Sequence, residues 1–344
     1  MITRKVDKND SLAGFIYNWV KKIGAETDKL IVICQEKGNT EGLPGNIEIY
    51  SLGKEKGKNK LSQLIRFKLL LLRHVKRADG VFAHMMPIYS IIAGPFCLIY
   101  RKKLIQWYMH RSVDWKLRLT KLFVSEYVTA SKLSFRMKTK KKVNILGHGI
   151  DTNLFQATPE DKSDFFRLIT IGRISPTKDY ESMIKAIYDL SEKGIKNIRL
   201  NIIGAAGLKK QKIYFDNLKT MVTNMKLENS VKFLGPIANN KTPEYLKQSD
   251  LFINLSNTGS LDKAVLEAMS SACIAVSSNE AFVGILPDNL MVEKDNPKAL
   301  ADKIESIIAL DAESRKELQE KLRAEVQQNH NLDNLVKKII NLYK

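Results

Sequence analysis

Short apolar runs alternate with longer stretches in which apolar residues recur every three or four positions. That alternation predicts strands and helices in turn, the pattern of a parallel sheet covered by helices. In the first half, Leu12, Phe15, Ile16, Trp19, Val20 and Ile23 share one helical face, and strands are predicted at 30–34, 47–52, 79–83, 104–107, 127–130 and 143–146. The start is unusual. Only Ile2 stands ahead of Arg4 and Lys5, so either the first strand is short or the N-terminus is clipped. In the second half, strands are predicted at 167–171, 198–203, 231–234, 250–255 and 273–276. Tyr180, Met183, Ile184, Ile187 and Leu190 form a helical face stopped by Gly194, and 298–310, 312–328 and 332–343 also read as helices. Between the halves, 151–164 carries Pro159 among acidic and polar residues and reads as a linker. Two α/β domains are therefore expected, at 1–150 and 165–330, within a length of 344 residues that suits two cores.

Composition narrows the class. With 44% apolar and 27% charged residues the chain reads as a soluble globular protein. Cys34, Cys97 and Cys273 lie far apart, which argues against a disulfide framework or zinc site and for a reducing, cytoplasmic setting. No signal-peptide pattern opens the chain, and the apolar run 91–100 contains Pro95 and is too short to cross a bilayer. The net charge of +19 is uneven. Residues 1–150 hold 29 Lys and Arg against 11 Asp and Glu, whereas 151–344 hold 27 against 26. Any acidic surface is met by the first half. Nucleic acid is argued against by the lack of zinc-finger spacing, aromatic RNA-binding motifs and a long basic tail. A Gly-x-Ser-x-Gly elbow, a Gly-x-Gly-x-x-Gly fingerprint and a P-loop are also missing, which weakens hydrolase, dehydrogenase and NTPase readings.

Two segments carry candidate chemistry. The run 258–269, Thr-Gly-Ser-Leu-Asp-Lys-Ala-Val-Leu-Glu-Ala-Met, follows a strand and opens a helix. Small residues there let backbone N–H groups of Gly259, Ser260 and Leu261 approach an anion, and the helix start adds partial positive charge. A plain helix cap by Ser260 is the structural alternative. Glu267, flanked by Val265, Leu266, Ala268 and Met269, is a carboxylate able to accept hydrogen bonds from sugar hydroxyls. In the second segment, Gly172, Arg173 and Lys178 follow the strand at 167–171, and two cations at such a junction suit a diphosphate leaving group. Taken singly, each cation would read as a surface residue; taken with the run 258–269, they point to a nucleotide-sugar site.

These segments resemble the C-terminal half of family 4 glycosyltransferases of the GT-B fold, which pair Gly-Arg-x-x-x-x-Lys with Glu-x7-Glu. Gly172, Arg173 and Lys178 match the first motif and Glu267 matches the second glutamate, while Gly259 stands where the first glutamate belongs. That glutamate touches the donor sugar in the family, so the resemblance identifies the nucleotide end of the donor better than the sugar end. It covers most of 165–280 well and the first half more loosely, where only Gly14 remains of the family's glycine-rich turn. The resemblance implies two Rossmann-like domains facing a cleft, with the donor on the second and a final helix, about 331–344, returning to the first. It implies a retaining hexosyltransferase that moves a sugar from a nucleoside diphosphate sugar to an acceptor hydroxyl, with Glu267 on the ribose. No cofactor or metal is expected, because Arg173, Lys178 and a helix N-terminus meet the diphosphate. Two alternatives stand beside this reading: a catalytically degenerate member that binds nucleotide sugar without turnover, motivated by Gly259 and the eroded glycine turn, and a basic nucleic-acid-binding protein, which would bind RNA or DNA with a steep salt dependence.

His84 and His110 each close or follow a predicted strand, where an open parallel sheet has its crevice. Both are acceptor-side candidates. His110 falls where the family often has an active-cleft histidine, which makes it a candidate catalytic residue. His148 in 147–151 reads as local structure. Residues 58–77 form a basic, leucine-rich helix with two readings: a helix packed on the first sheet with a solvated basic face, or a helix resting on anionic lipid. The expected partners are a nucleotide sugar, a glycan or lipid-linked acceptor and an anionic membrane surface on the cytoplasmic face.

Overall fold

A computed structural model describes residues 1–157 and 163–344. Pro159 and its neighbours in the linker reading lie outside the described residues. The chain divides into two compact units: Met1–Asp151 with Ala238–Asn240 and Asn329–Lys344, and Thr152–Ile237 with Lys241–Gln328.

The first unit holds β1 (Ile2–Val6), α1 (Phe15–Ala25), β2 (Leu30–Lys37), β3 (Ile47–Ser51), α2 (Lys60–His74), β4 (Gly80–His84), α3 (Pro87–Ile99), β5 (Lys103–Trp107), α4 (Trp115–Leu119), β6 (Glu126–Thr129) and β7 (Lys142–Ile145). Its sheet is parallel, in the order β3-β2-β1-β4-β5-β6-β7. Strand alternation divides the core. Val81, Ala83 and Leu104 face Phe67, Leu70 and Leu71 of α2 and Tyr89 and Ala93 of α3. Phe82, His84 and Trp107 face the other way, where Trp19 of α1 stacks on Phe82 and meets Trp107 edge-on.

β1 explains the unusual start. It is a short central strand, and its one tolerated cation near the core, Lys5, is met by Asp10 at 2.6 Å and Asp7 at 3.2 Å. Leu12 does not join the α1 face, because Asp10 Oδ1 accepts from Leu12 N and Ala13 N and delays the helix to Phe15. Gly14 at that helix start has no room for a side chain: a Cβ would lie 2.4 Å from Asp10 O.

The second unit holds β8 (Phe166–Ile171), α5 (Tyr180–Glu192), β9 (Ile198–Ile203), α6 (Lys209–Asn224), β10 (Val231–Gly235), α7 (Thr242–Lys247), β11 (Leu251–Asn254), α8 (Lys263–Ser270), β12 (Ile274–Ser277), α9 (Pro297–Ile308) and α10 (Ala312–Asn329). Its parallel sheet runs β10-β9-β8-β11-β12. β11 and the edge strand β12 are buried along their whole length, which is why 251–253 and 274–276 read as apolar runs, each closed by a polar residue, Asn254 and Ser277. The apolar spacing does not predict α3, α6 and α7: α3 contains Pro95, α6 is too polar for a clear apolar face, and α7 is short.

The last helix, α11 (Leu332–Asn341), belongs to the first unit. Leu332, Leu335, Val336 and Ile339 are buried there, Lys22 pairs with Asp333 at 2.8 Å, and Tyr343 OH donates to Val81 O at 2.8 Å. The α/β class and the pair of Rossmann-like parallel sheets are those expected from the sequence. Among the described residues no helix is long and apolar enough to cross a membrane.

Candidate functional site

In the second unit the strand order reverses between β8 and β11: β9 follows β8 on one side, and β11 lies on the other. The carboxyl ends of strands at such a reversal form a natural crevice. The two segments singled out in the sequence leave the sheet at this point, one after β8 and one after β11.

They are joined directly. Asn257 N donates to Thr177 O at 2.9 Å. Lys178 Nζ donates to Asp262 Oδ1 at 2.8 Å and to Ser256 Oγ at 3.2 Å. Thus Lys178 is held against the 258–269 segment by a largely buried ion pair, which joins the turn after β8 that carries Gly172 and Arg173 to the loop after β11. Arg173 is exposed, with its guanidinium in no ion pair among the described residues. Gly172 N donates to Ile203 O at 2.9 Å, and Tyr180 OH donates to Gly172 O at 3.2 Å, so this turn is braced from both sides.

The helix cap differs from the Ser260 alternative. The residue at the start of α8 is Asp262, and no side-chain cap closes it. Its carboxylate is used elsewhere: Oδ1 takes Lys178, and Oδ2 accepts from Asn254 Nδ2 at 3.0 Å. Asn279 Nδ2 donates to Ser260 O at 2.8 Å and fixes the loop from β12. Ser277 Oγ donates to Asn254 Oδ1 at 2.9 Å and completes this buried set. Gly259 adopts φ +61°, a left-handed conformation that favours glycine. Ser260 Oγ and Ser278 Oγ are buried beside this loop with no partner among the described residues, an arrangement that favours a ligand or water.

Glu267 lies one turn into α8 and is 3% exposed. Lys263 Nζ pairs with its Oε1. Val265, Leu266, Ala268 and Met269 are fully buried, so the helix anchors Glu267 in an apolar surrounding where a carboxylate requires partners. The polar set formed by Asn254, Ser256, Asp262, Lys263, Ser277 and Asn279 escapes a reading of the sequence. Its one local sign is Asn254, a polar residue closing an apolar strand.

In the first unit the strand order reverses between β1 and β4, and His84 ends β4. The ring is not offered to a solute. It is 1% exposed, lies 4.9 Å from the Trp19 ring, and its Nδ1 shares a hydrogen bond with Thr3 Oγ1 at 3.1 Å. Alternation along β4 directs it under α1 rather than out of the sheet edge. His110 is exposed beyond β5, and its Nδ1 accepts from Ser112 N at 3.1 Å. In the neutral ring the proton then sits on Nε2, which is available as a donor. His148 is buried, and its backbone N donates to His330 Nδ1 at 2.9 Å, so it serves local structure.

Burial pushes the His84 imidazole down to about 3 and that of His330 to about 4. Both are neutral in the folded state, whereas the unfolded chain takes up protons near pH 6.5. The stability present above pH 6.5 is therefore lost as pH falls from 6.5 toward 4, by about 3 kcal/mol for each ring at pH 4.5. Thermal melts from pH 7.5 to 4.5 are expected to fall less steeply for His84→Gln than for the parent chain.

Against this geometry the comparisons with known proteins are specific. The family model described as "Glycosyl transferases group 1" matches residues 151–325. The alpha-monoglucosyldiacylglycerol synthase of Streptococcus pneumoniae is 25% identical over 184 residues, covering 49% of this chain and 38% of that protein. One subunit of the phosphatidylinositol N-acetylglucosaminyltransferase of Arabidopsis thaliana is 25% identical over 172 residues, covering 49% and 37%. The chain thus spans less than two fifths of the length of these two relatives. The crystal structure of Anabaena Alr3699/HepE in complex with UDP matches with a TM-score of 0.77 at 18% identity, over 99% of both chains, a likeness of fold. With the family model covering half of its length, the chain belongs to the glycosyl transferases group 1 family.

Proposed function

We propose that the chain is a family 4 glycosyltransferase that moves a sugar from a nucleoside diphosphate sugar to an acceptor hydroxyl with retention of anomeric configuration. The observation that carries this reading is the meeting of two junctions at the sheet reversal. Lys178 is tied to Ser256 and Asp262, and Thr177 O accepts from Asn257 N. In the step, the bond between the anomeric carbon and the diphosphate oxygen breaks, and its electron pair stays on the diphosphate. The acceptor oxygen forms the new bond and passes its proton to the departing diphosphate oxygen. Arg173 and Lys178 stabilise the charge that develops on the leaving diphosphate, without a metal. The backbone of Gly172, Gly259, Ser260 and Leu261 lines the phosphates, and Glu267 accepts from the ribose hydroxyls. His110 serves the acceptor side through its Nε2–H. Uridine diphosphate is the first nucleotide to test, since the Anabaena protein was crystallised with UDP.

The acceptor is a glycan or lipid-linked hydroxyl. Two relatives carry names that include diacylglycerol and phosphatidylinositol, which supports the lipid version. The corresponding place of action is the cytoplasmic side, peripheral to the inner face of the membrane.

A panel of nucleoside diphosphate sugars in a thermal-shift assay tests donor binding, because a ligand at about 100 times its Kd adds about 2.7 kcal/mol to apparent stability. No shift with any member would overturn the proposal. Glu267→Gln is expected to raise the donor KM about tenfold or more through loss of charge-assisted hydrogen bonds. An unchanged donor KM would remove Glu267 from the site. The second reading, a degenerate member that binds donor without turnover, is favoured by one observation: Gly259 stands where the family's first glutamate belongs. The two separate in an acceptor-free assay, where an active enzyme slowly releases nucleoside diphosphate.

A further inference from the structure

The helix α2 carries more apolar surface than the sheet beneath it can cover. Phe67, Leu70 and Leu71 are buried against the first unit's core. Leu61, Ile65, Leu69 and Leu72 are not: they are 66%, 53%, 61% and 50% exposed. At helical spacing these four occupy one stripe about 80° wide. Lys68 borders the stripe on one side and Arg66 and Arg73 on the other, all exposed. No acidic residue occurs from Lys56 to Ala78. The packed-helix reading accounts for the buried leucines only, and the second stripe is left uncovered by the described residues.

The same helical layer extends the surface. α3 packs beside α2, and α4 and the turn 120–122 pack beside α3. From these, Leu98, Ile99, Trp115 and Leu122 are exposed as well. Lys121, Lys138, Lys140 and Lys141 line an adjoining depression of about 780 Å³.

We infer that the α2 stripe, with its basic borders, is a docking face for an anionic lipid surface. An apolar stripe set between cations matches the layering of such a surface, with acyl chains below charged headgroups. A second copy of this chain would set the same cations against one another, an unfavourable match. Nucleic acid would use the cations and leave the leucines in water. The excess positive charge of the first half, 29 Lys and Arg against 11 Asp and Glu, supports the same occupant. The inference names the surface for the membrane-peripheral reading given above, but does not depend on sugar transfer.

The test is vesicle flotation of the full chain without donor, using equal parts phosphatidylglycerol and phosphatidylcholine against phosphatidylcholine alone. Preferential binding to the anionic vesicles at low salt is expected. The double variant Ile65→Gln with Leu69→Gln should reduce it about tenfold, as should Arg66→Glu with Lys68→Glu. Because all four side chains are exposed, melting temperatures should stay within about 2 °C of the parent. No binding to anionic vesicles, or equal binding by the Gln double variant, overturns the inference. So does light scattering that shows a dimer dissolved by the same variant, which would assign the stripe to a second copy. Donor binding by thermal shift is measured separately, so failure here and failure of the transferase reading are distinguishable.

Discussion

Lys178→Ala is expected to lower kcat by about 10²–10³-fold, the loss that follows removal of one preorganised group from a developing anion. Lys178 is built for such a role. Its ammonium is held in place by Ser256 and Asp262 across 78 and 84 residues of sequence, so little reorganisation is needed when a diphosphate arrives. Arg173→Ala should act in the same direction. Its guanidinium is exposed and in no ion pair among the described residues, so the melting temperature should hardly change. Asp262→Asn should act oppositely on binding: it removes a negative charge 2.8 Å from Lys178 and should tighten UDP binding several-fold. Nucleoside diphosphate release with purified variants, and calorimetric titration with UDP, check these outcomes. Near-normal turnover in both alanine variants would sink the assignment of the phosphate site.

The second large effect is on folding. Gly204 follows β9 with φ +154°, and a Cβ there would lie 1.8 Å from the carbonyl oxygen of Gly172. That oxygen belongs to backbone, and the same residue is held to β9 by Gly172 N donating to Ile203 O at 2.9 Å. Neither side can yield without parting the ends of β8 and β9. Gly204→Ala is therefore expected to cost about 3 kcal/mol or more through strain and overlap. For a unit of this size that is a fall in melting temperature of about 6–12 °C. Calorimetry reads the fall. Loss of the UDP-induced shift should accompany it, because Arg173 follows Gly172 directly. A melting temperature within about 2 °C of the parent, the scatter of ordinary surface changes, would contradict this account.

Much of the fold is legible in the sequence because buried strands leave short apolar runs, as at 251–253 and 274–276, while 198–203 keeps an alternation with Arg199 exposed. Helices with one clear face, such as α5, are equally legible. α6 is not, since tertiary packing of Tyr214, Leu218 and Val222 fixes a helix that its polar residues hide. In the site, Gly172, Arg173, Lys178 and Glu267 can be picked out by local spacing. Asp262 and Asn279 cannot, because their roles exist only through contacts with Lys178 and Ser260 made in three dimensions. His84 shows the reverse failure. Its position at a strand end points to a crevice, but the two-residue alternation of β4 buries its ring under Trp19. The leucines of α2 mislead for a related reason: a run apolar in several directions does not say which stripe is covered.

The assignment of residues 329–344 to the first unit has a consequence for biogenesis. When Asp151 leaves the ribosome, seven strands of the first sheet have been made, but the helix that covers Trp19 and the tyrosine that caps Gly80 are still unsynthesised. At typical rates of about 5–20 residues per second, the wait is on the order of 10–40 s. During that interval the apolar face around Trp19 lacks its cover and is a natural client for a chaperone. The second unit is itself complete only at Gln328, so both units close within the last stretch of synthesis.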